Sequence, residues 1–195
     1  ISKSENKKGL INKIVAIAVS KGIVVKKVDD GKLNNLSDGG NHQGVVAVVC
    51  AAKYSDLEDI LHTAKEREEQ PLIIMCDEIE DQHNLGAIIR TAECCGAHGV
   101  IIPKRRSASL SPIIYKTSVG AVEHIHVVRV SNLSSTIEVL KKSGVWIYGA
   151  DQKGEIYSNV GFKGAMCIII GSEDKGISRI VLEKCDFKIS IPMKG

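Results

Sequence analysis

The chain has 195 residues, 44% of them hydrophobic and 25% charged, with a formal net charge of +3. That length buries one large core, or one core and a smaller satellite, and no apolar run approaches the roughly 20 residues that cross a bilayer. The expectation is a soluble globular protein of the cytoplasm, whose slight positive charge implies nucleic-acid binding only if basic residues cluster.

In the first fifty residues, Leu10, Ile11, Ile14, Val15 and Ile17 recur at helical spacing, and Gly22 supplies a stop. Residues 23–28 read as a strand, the segment to Leu36 as a polar connection with a turn of helix, and 45–50 as a second strand. Between them Gly39 to Gly44, G-G-N-H-Q-G, is too rich in glycine for a regular element. Its His42 has two readings, a functional group or a loop histidine bonding its own backbone.

Ser55-Asp56-Leu57-Glu58 has the form of a capping box, with Ser55 and Glu58 as its two arms, and opens a helix running to about Glu69. Gln70-Pro71 ends it, so residues 1–50 form one domain, 51–70 a linker with a helix, and 71–195 a second domain. From there apolar strands at 72–76, 99–102, 125–130, 145–150, 165–170 and 187–191 alternate with helical segments. This is the pattern of an α/β fold with a mainly parallel sheet.

The helix after the first of these strands places Leu85, Ile88, Ile89 and Ala92 on one face, with Asn84 and Arg90 off that face or at its rim. An asparagine and an arginine at the carboxyl end of a buried strand stand where open α/β sheets hold their ligands. Lys104-Arg105-Arg106 follows the next strand, the one basic cluster nearby. Ser111-Pro112 starts a short helix, and Ser131 to Ser143 forms another, closed by Gly144. A second candidate ligand loop, Gly171 to Ser178, leads into a helix to about Cys185.

Six cysteines, Cys50, Cys76, Cys94, Cys95, Cys167 and Cys185, form no C-x-x-C pair and read as reduced core thiols. His83, His98, His124 and His126 lack zinc-like spacing, so no metal is expected. No G-x-G-x-x-G, P-loop or nucleophile-elbow motif is present. The residues alone give an α/β domain with two loop sites and a basic patch, without a reaction.

D-Q-H-N-L-G-A-I-I-R-T-A resembles the first motif of the SpoU, or TrmH-type, branch of the SPOUT RNA methyltransferases. I-I-G-S-E-D-K-G-I-S resembles the second, and I-S-I-P-M-K-G the beginning of the third; the match runs over residues 71–195. N-H-Q-G-V-V-A is similar to the end of the ribosomal-protein-like RNA-binding domain that precedes the catalytic domain in bacterial 23S rRNA guanosine 2′-O-methyltransferases. Residues 1–50 then correspond to part of a small α/β substrate-binding domain. The third motif breaks off at Gly195, so a longer protein is expected, and a chain ending there is expected to have an open cofactor pocket.

The resemblance implies methyl transfer from S-adenosylmethionine to a ribose 2′-hydroxyl of structured RNA, most of all rRNA, by a homodimer whose carboxyl-terminal segment forms a trefoil knot. The alternatives are a tRNA ribose 2′-O-methyltransferase and a non-catalytic protein that binds structured RNA. Gly171 and Ile191 match cofactor-contacting positions, with Gly149 a third. Asn84 and Arg90 match the active-site pair, Arg90 as base or as phosphate clamp. Glu173 matches the acidic residue of the second motif, in substrate or subunit contact or neutralising the next helix's start. Lys104, Arg105, Arg106 and His42 are the expected RNA contacts. Gln82 replaces a common proline, and Asp174 a common glycine.

Overall fold

The structure, a computed structural model, describes residues 1–3, 9–48 and 53–193. It divides into two compact units, Ile1–Cys50 and Ala51–Gly195. No helix among the described residues is long and apolar enough to cross a membrane.

The first unit contains α1 (Gly9–Ser20) and α2 (Asp30–Leu36). Asp29 caps α2 by accepting the Lys32 amide at 2.8 Å, and Leu33 is its buried residue. α1 buries none of its residues, and Leu10 and Ile17 on its apolar stripe are mostly exposed. The strand expected at 23–28 and the described part, 45–48, of the one expected at 45–50 do not form ladders. Only Val28 makes a bridge, to Ser2, because the extended backbone before it finds no matching run of partners among the described residues. Residues 45–48 are irregular, and 49–50 lie outside the described residues.

The second unit carries α3 (Leu57–Glu66), β1 (Leu72–Asp77), α4 (Gln82–Cys94), β2 (Gly99–Pro103), α5 (Pro112–Thr117), β3 (His126–Val130), α6 (Leu133–Lys142), β4 (Trp146–Ile156), β5 (Met166–Gly171), α7 (Arg179–Leu182) and β6 (Phe187–Ser190). The strands form one parallel sheet in the order β3-β2-β1-β5-β4-β6. All six expected strands are present. A sheet buried on both faces needs apolar side chains at successive positions, and β2 is buried at every residue. Alternation then divides the core. Ile101 faces Ile60, Ile137 and Val181 from α3, α6 and α7, whereas Val100 and Ile102 face Leu85, Ile89 and Ile114 from α4 and α5.

Three local expectations are corrected. Asp56, not Ser55, is the N-cap of α3, with Asp59 Oδ2 accepting the Asp56 amide at 2.8 Å. Ser55 is drawn off by bridging to Val128 and bonding His126 Nδ1 at 2.9 Å, while Thr63 Oγ1 binds Nε2 of the same ring at 2.9 Å. α3 stops at Glu66, since Glu68 turns into the left-handed region at φ 55°. α7 ends at Leu182, because Asp186 is held back on β4, its amide donating to the Ile147 carbonyl. Cys76 and Cys167 are buried as expected, but Cys94 and Cys95 are exposed at the last turn of α4, and Cys50 lies outside the described residues.

Candidate active site

The order β3-β2-β1-β5-β4-β6 has a switch point. From β1 the chain leaves towards β2, and from β5 it leaves towards β6, so their carboxyl ends border a crevice with no crossover above it. Asp77 and Gly171 face each other there in register. The two candidate ligand loops emerge side by side.

Asp81 starts α4 by accepting the amides of His83 at 2.6 Å and Asn84 at 3.0 Å. Those bonds, Asn84's foremost, hold its carboxyl below the usual range. They also fix Asn84 in the first turn, where Nδ2 donates to Glu173 Oε1 at 2.9 Å. Glu173 is thereby held to α4, five residues before Ser178, the N-cap position of α7. The crevice forms a cavity of about 300 Å³ at their level. Its lining includes Glu78, Glu80, Asp81, Glu173 and Asp174 against the single cation Lys175. That balance repels phosphate from the floor and suits neutral hydroxyl and amine donors.

Arg90 is exposed on α4, makes no hydrogen bond or ion pair among the described residues, and does not line this cavity. The structure thus joins Asn84 to Glu173 and leaves Arg90 unengaged.

Lys104, Arg105 and Arg106 are exposed after β2. Arg106 Nη1 bonds Glu78 Oε1 at 2.9 Å, a pairing that raises the guanidinium above its usual range. Both residues are in the left-handed region, at φ 52° and 57°. Lys104 and Arg105 carry no ion pair among the described residues. Two anchors of this segment escaped sequence reading. Arg129 donates to the Lys104 carbonyl at 3.0 Å and lies over the Tyr54 ring at 5.5 Å. Tyr54 in turn accepts the Leu110 amide at 2.9 Å. Neither residue has a spacing signal, because both act from other elements.

β4 and β5 pair only as far as Gly149 and Ile169, after which β5 continues to Gly171 and β4 leans onto β6. The splay exposes strand-end backbone between them. β4 meets β6 twice, Ile189 facing both Ala150 and Glu155. A side chain at Gly154 would strike the Ile189 backbone at 2.6 Å. Ile191 follows β6 and is exposed. The need for glycine at two positions is internal. A Cβ on Gly171 would lie 2.0 Å from the Gly176 carbonyl carbon, and one on Gly149 would lie 2.7 Å from Cys185 Sγ.

Gln82, in place of a common proline, is held by the residue that starts α5. It occupies the first position of α4, where proline also fits, and its Oε1 accepts the Ser111 hydroxyl, tying α4 to the start of α5. Asp174 needs no left-handed backbone, since the turn places that conformation at Gly176, φ 67°. In the first unit, His42 Nδ1 accepts the Gly44 amide at 3.0 Å and Nε2 donates to Asn34 Oδ1 at 3.1 Å. Nδ1 thus bonds the backbone of its own loop, whereas Nε2 is held by a side chain of α2. No group of three or more metal-binding side chains occurs among the described residues.

Comparison with known proteins fits this geometry. Residues 71–195 match the SpoU rRNA Methylase family, and residues 1–55 match the family described as RNA 2'-O ribose methyltransferase substrate binding. The chain is 45% identical over 189 residues to YacO of Bacillus subtilis, named among TrmH-family tRNA/rRNA methyltransferases, covering 96% of this chain and 76% of that one. The AdoMet-bound rRNA methyltransferase of Sinorhizobium meliloti has the same fold, with a TM-score of 0.78 at 23% identity over 96% of this chain and 70% of that one. The SpoU methyltransferase AviRb of Streptomyces viridochromogenes, in complex with AdoMet, aligns with a TM-score of 0.64 at 28% identity, covering 73% of this chain and 57% of that one. With its two motif loops joined at the switch point and residues 71–195 matched, the chain belongs to the SpoU rRNA Methylase family.

Proposed function

We propose that this protein transfers a methyl group from S-adenosylmethionine to a ribose 2′-hydroxyl of structured RNA, with rRNA as the preferred substrate. The observation that carries the reading is the Asn84–Glu173 bond, which brings the first and second motifs together at the switch point. The named activity of YacO, on tRNA or rRNA, and the AdoMet complex of AviRb support the same chemistry.

The splayed ends of β4, β5 and β6 suit a cofactor held by backbone groups, with Gly149, Gly171 and Ile191 at its edges. Bound S-adenosylmethionine supplies an electrophilic methyl group. The chain must align a weakly acidic hydroxyl with it and draw off the proton. Asn84 and Glu173 offer an amide and a carboxylate for the nucleoside. Arg90 takes up that proton as the base, or polarises the hydroxyl and clamps the adjoining phosphate while water takes the proton. Lys104, Arg105 and Arg106 hold the flanking backbone, and the first unit, including the His42 loop, binds RNA beyond the target. The double contact of β4 with Ile189 supports a threaded, knotted end. Homodimerisation is supported by exposed apolar groups, Trp146 and Phe187, on the β4–β6 edge.

The test uses labelled S-adenosylmethionine with rRNA and tRNA from cells lacking the gene, followed by alkaline hydrolysis. A 2′-O-methyl group leaves one alkali-resistant dinucleotide. Label in rRNA supports the proposal, label in tRNA alone replaces the substrate, and label on a base overturns the chemistry. Arg90→Ala is expected to lower turnover at least about a hundredfold with the fold intact.

A further inference from the structure

We infer that Asp77 is a positioning residue for the reaction. It is the last residue of β1 and is buried, with a relative exposure of 4%. A carboxylate is seldom left in such a place without a specific partner. Its partner lies across the crevice: Asp77 Oδ2 accepts the Ser178 amide at 2.8 Å.

Ser178 ends the loop that begins at Gly171, and that loop has three further restraints. Ser172 and Gly176 exchange two backbone hydrogen bonds, of 3.2 and 2.8 Å. Gly171 presses on the Gly176 backbone so closely that no side chain fits. Ile177 is buried in the core beneath. The loop is thus a stiff unit fastened to β1 at its base by Asp77 and to α4 at its tip by Asn84. Asp77 and Asn84 belong to consecutive elements, so β1 and α4 together set where Glu173 and the Gly171 backbone stand. Asp77 acts through the loop and touches no substrate. Losing its bond lets the loop base lift and spreads Glu173 over several positions, a loss that falls on the transition state and on cofactor affinity more than on RNA capture.

The proposal rests on the methyl-transfer reading, and its test separates the two. Asp77→Asn keeps an acceptor for the Ser178 amide and removes the charge, whereas Asp77→Ala removes both. Ser178→Pro deletes the donor at a residue whose φ of −58° already suits proline. Thermal melting, S-adenosylmethionine affinity by calorimetry without RNA, and kcat and KM for RNA are measured on the intact gene product. Expected are a folded Asp77→Ala protein with kcat at least about tenfold lower, cofactor affinity weakened about tenfold, and RNA KM within about threefold of the parent, with Ser178→Pro moving the same way. Asp77→Asn is expected within about threefold of the parent in all three, which keeps the test informative should Asp77→Ala fail to fold. An Asp77→Asn protein as impaired as the others, or an Asp77→Ala protein with parental kcat and affinity, overturns the positioning role. A parent that methylates no RNA yet loses cofactor affinity on Asp77→Ala overturns the substrate reading alone.

Discussion

Asn84 and Glu173, 89 residues apart in sequence, meet through one 2.9 Å hydrogen bond from amide to carboxylate. The two side chains form a single unit, and single deletions should show it. Asn84→Ala and Glu173→Ala are each expected to lower turnover at least about tenfold, and the double variant to lose less than the product of the two, a coupling of about 0.5–3 kcal/mol. Steady-state kinetics on all four proteins measures this. Strictly multiplicative losses would show that the bond has no functional part.

The ion pair between Glu78 and Arg106 sets unequal expectations for the basic loop. Lys104→Ala and Arg105→Ala should each weaken RNA binding and cut the salt slope by about one, because each leaves a phosphate unneutralised. Arg106→Ala should cost less, since Glu78 already opposes its charge at 2.9 Å. Glu78→Gln should tighten binding and steepen the slope. Anisotropy titrations across a salt series give all four values, and a Glu78→Gln protein that binds more weakly would contradict the assignment.

Gly171→Ala places a methyl group 2.0 Å from the backbone of Gly176, which cannot rotate away as a side-chain tip can. The β5–α7 loop must move. S-adenosylmethionine affinity is expected to fall at least about tenfold, equivalent to about 1.4 kcal/mol. Gly161→Ala, with nothing within 4 Å of its new methyl group, is the matched control and should bind as the parent does.

Thiol reactivity should follow burial. Burial pushes the Cys76 thiol up to about 12 and raises Cys167 further, so neither forms thiolate near pH 8. Exposed Cys94 and Cys95 should react first with an aromatic disulfide reagent, and Cys76 and Cys167 only after denaturant is added. Peptide mass mapping at timed intervals distinguishes them. Early labelling of Cys76 would mean that β1 opens readily.

The sheet was legible because each of its strands is a continuous apolar run between polar breaks, as in 72–76 and 165–170. Sequence order, however, does not say which strands are neighbours. That β1 lies beside β5 follows from packing alone, and so the partnership of Asn84 with Glu173 was invisible although both residues were already singled out. Asp77 was missed because its signal, a carboxylate ending an apolar strand, looks like an ordinary strand terminus until Ser178 arrives beside it. Ser55 was misplaced because the capping pattern fits two adjacent residues, and the choice fell to His126, 71 residues away. The first unit misled most. Its β-branched runs at 23–28 and 45–48 suit strands locally, but a ladder needs a partner run as well.

The ladder joining β1 to β5 pairs Leu72 with Met166 and ends with Asp77 opposite Gly171. Closing it brings together segments more than ninety residues apart, so it gains nothing until nearly the whole second unit has emerged. Loop closure of that span is slow and comes late. A nascent chain on the ribosome therefore carries Asp77 and α4 long before the crevice beside them exists, and the crevice forms in one step, when β5 docks. Refolding should show the same order, with helix signals recovering ahead of ligand binding.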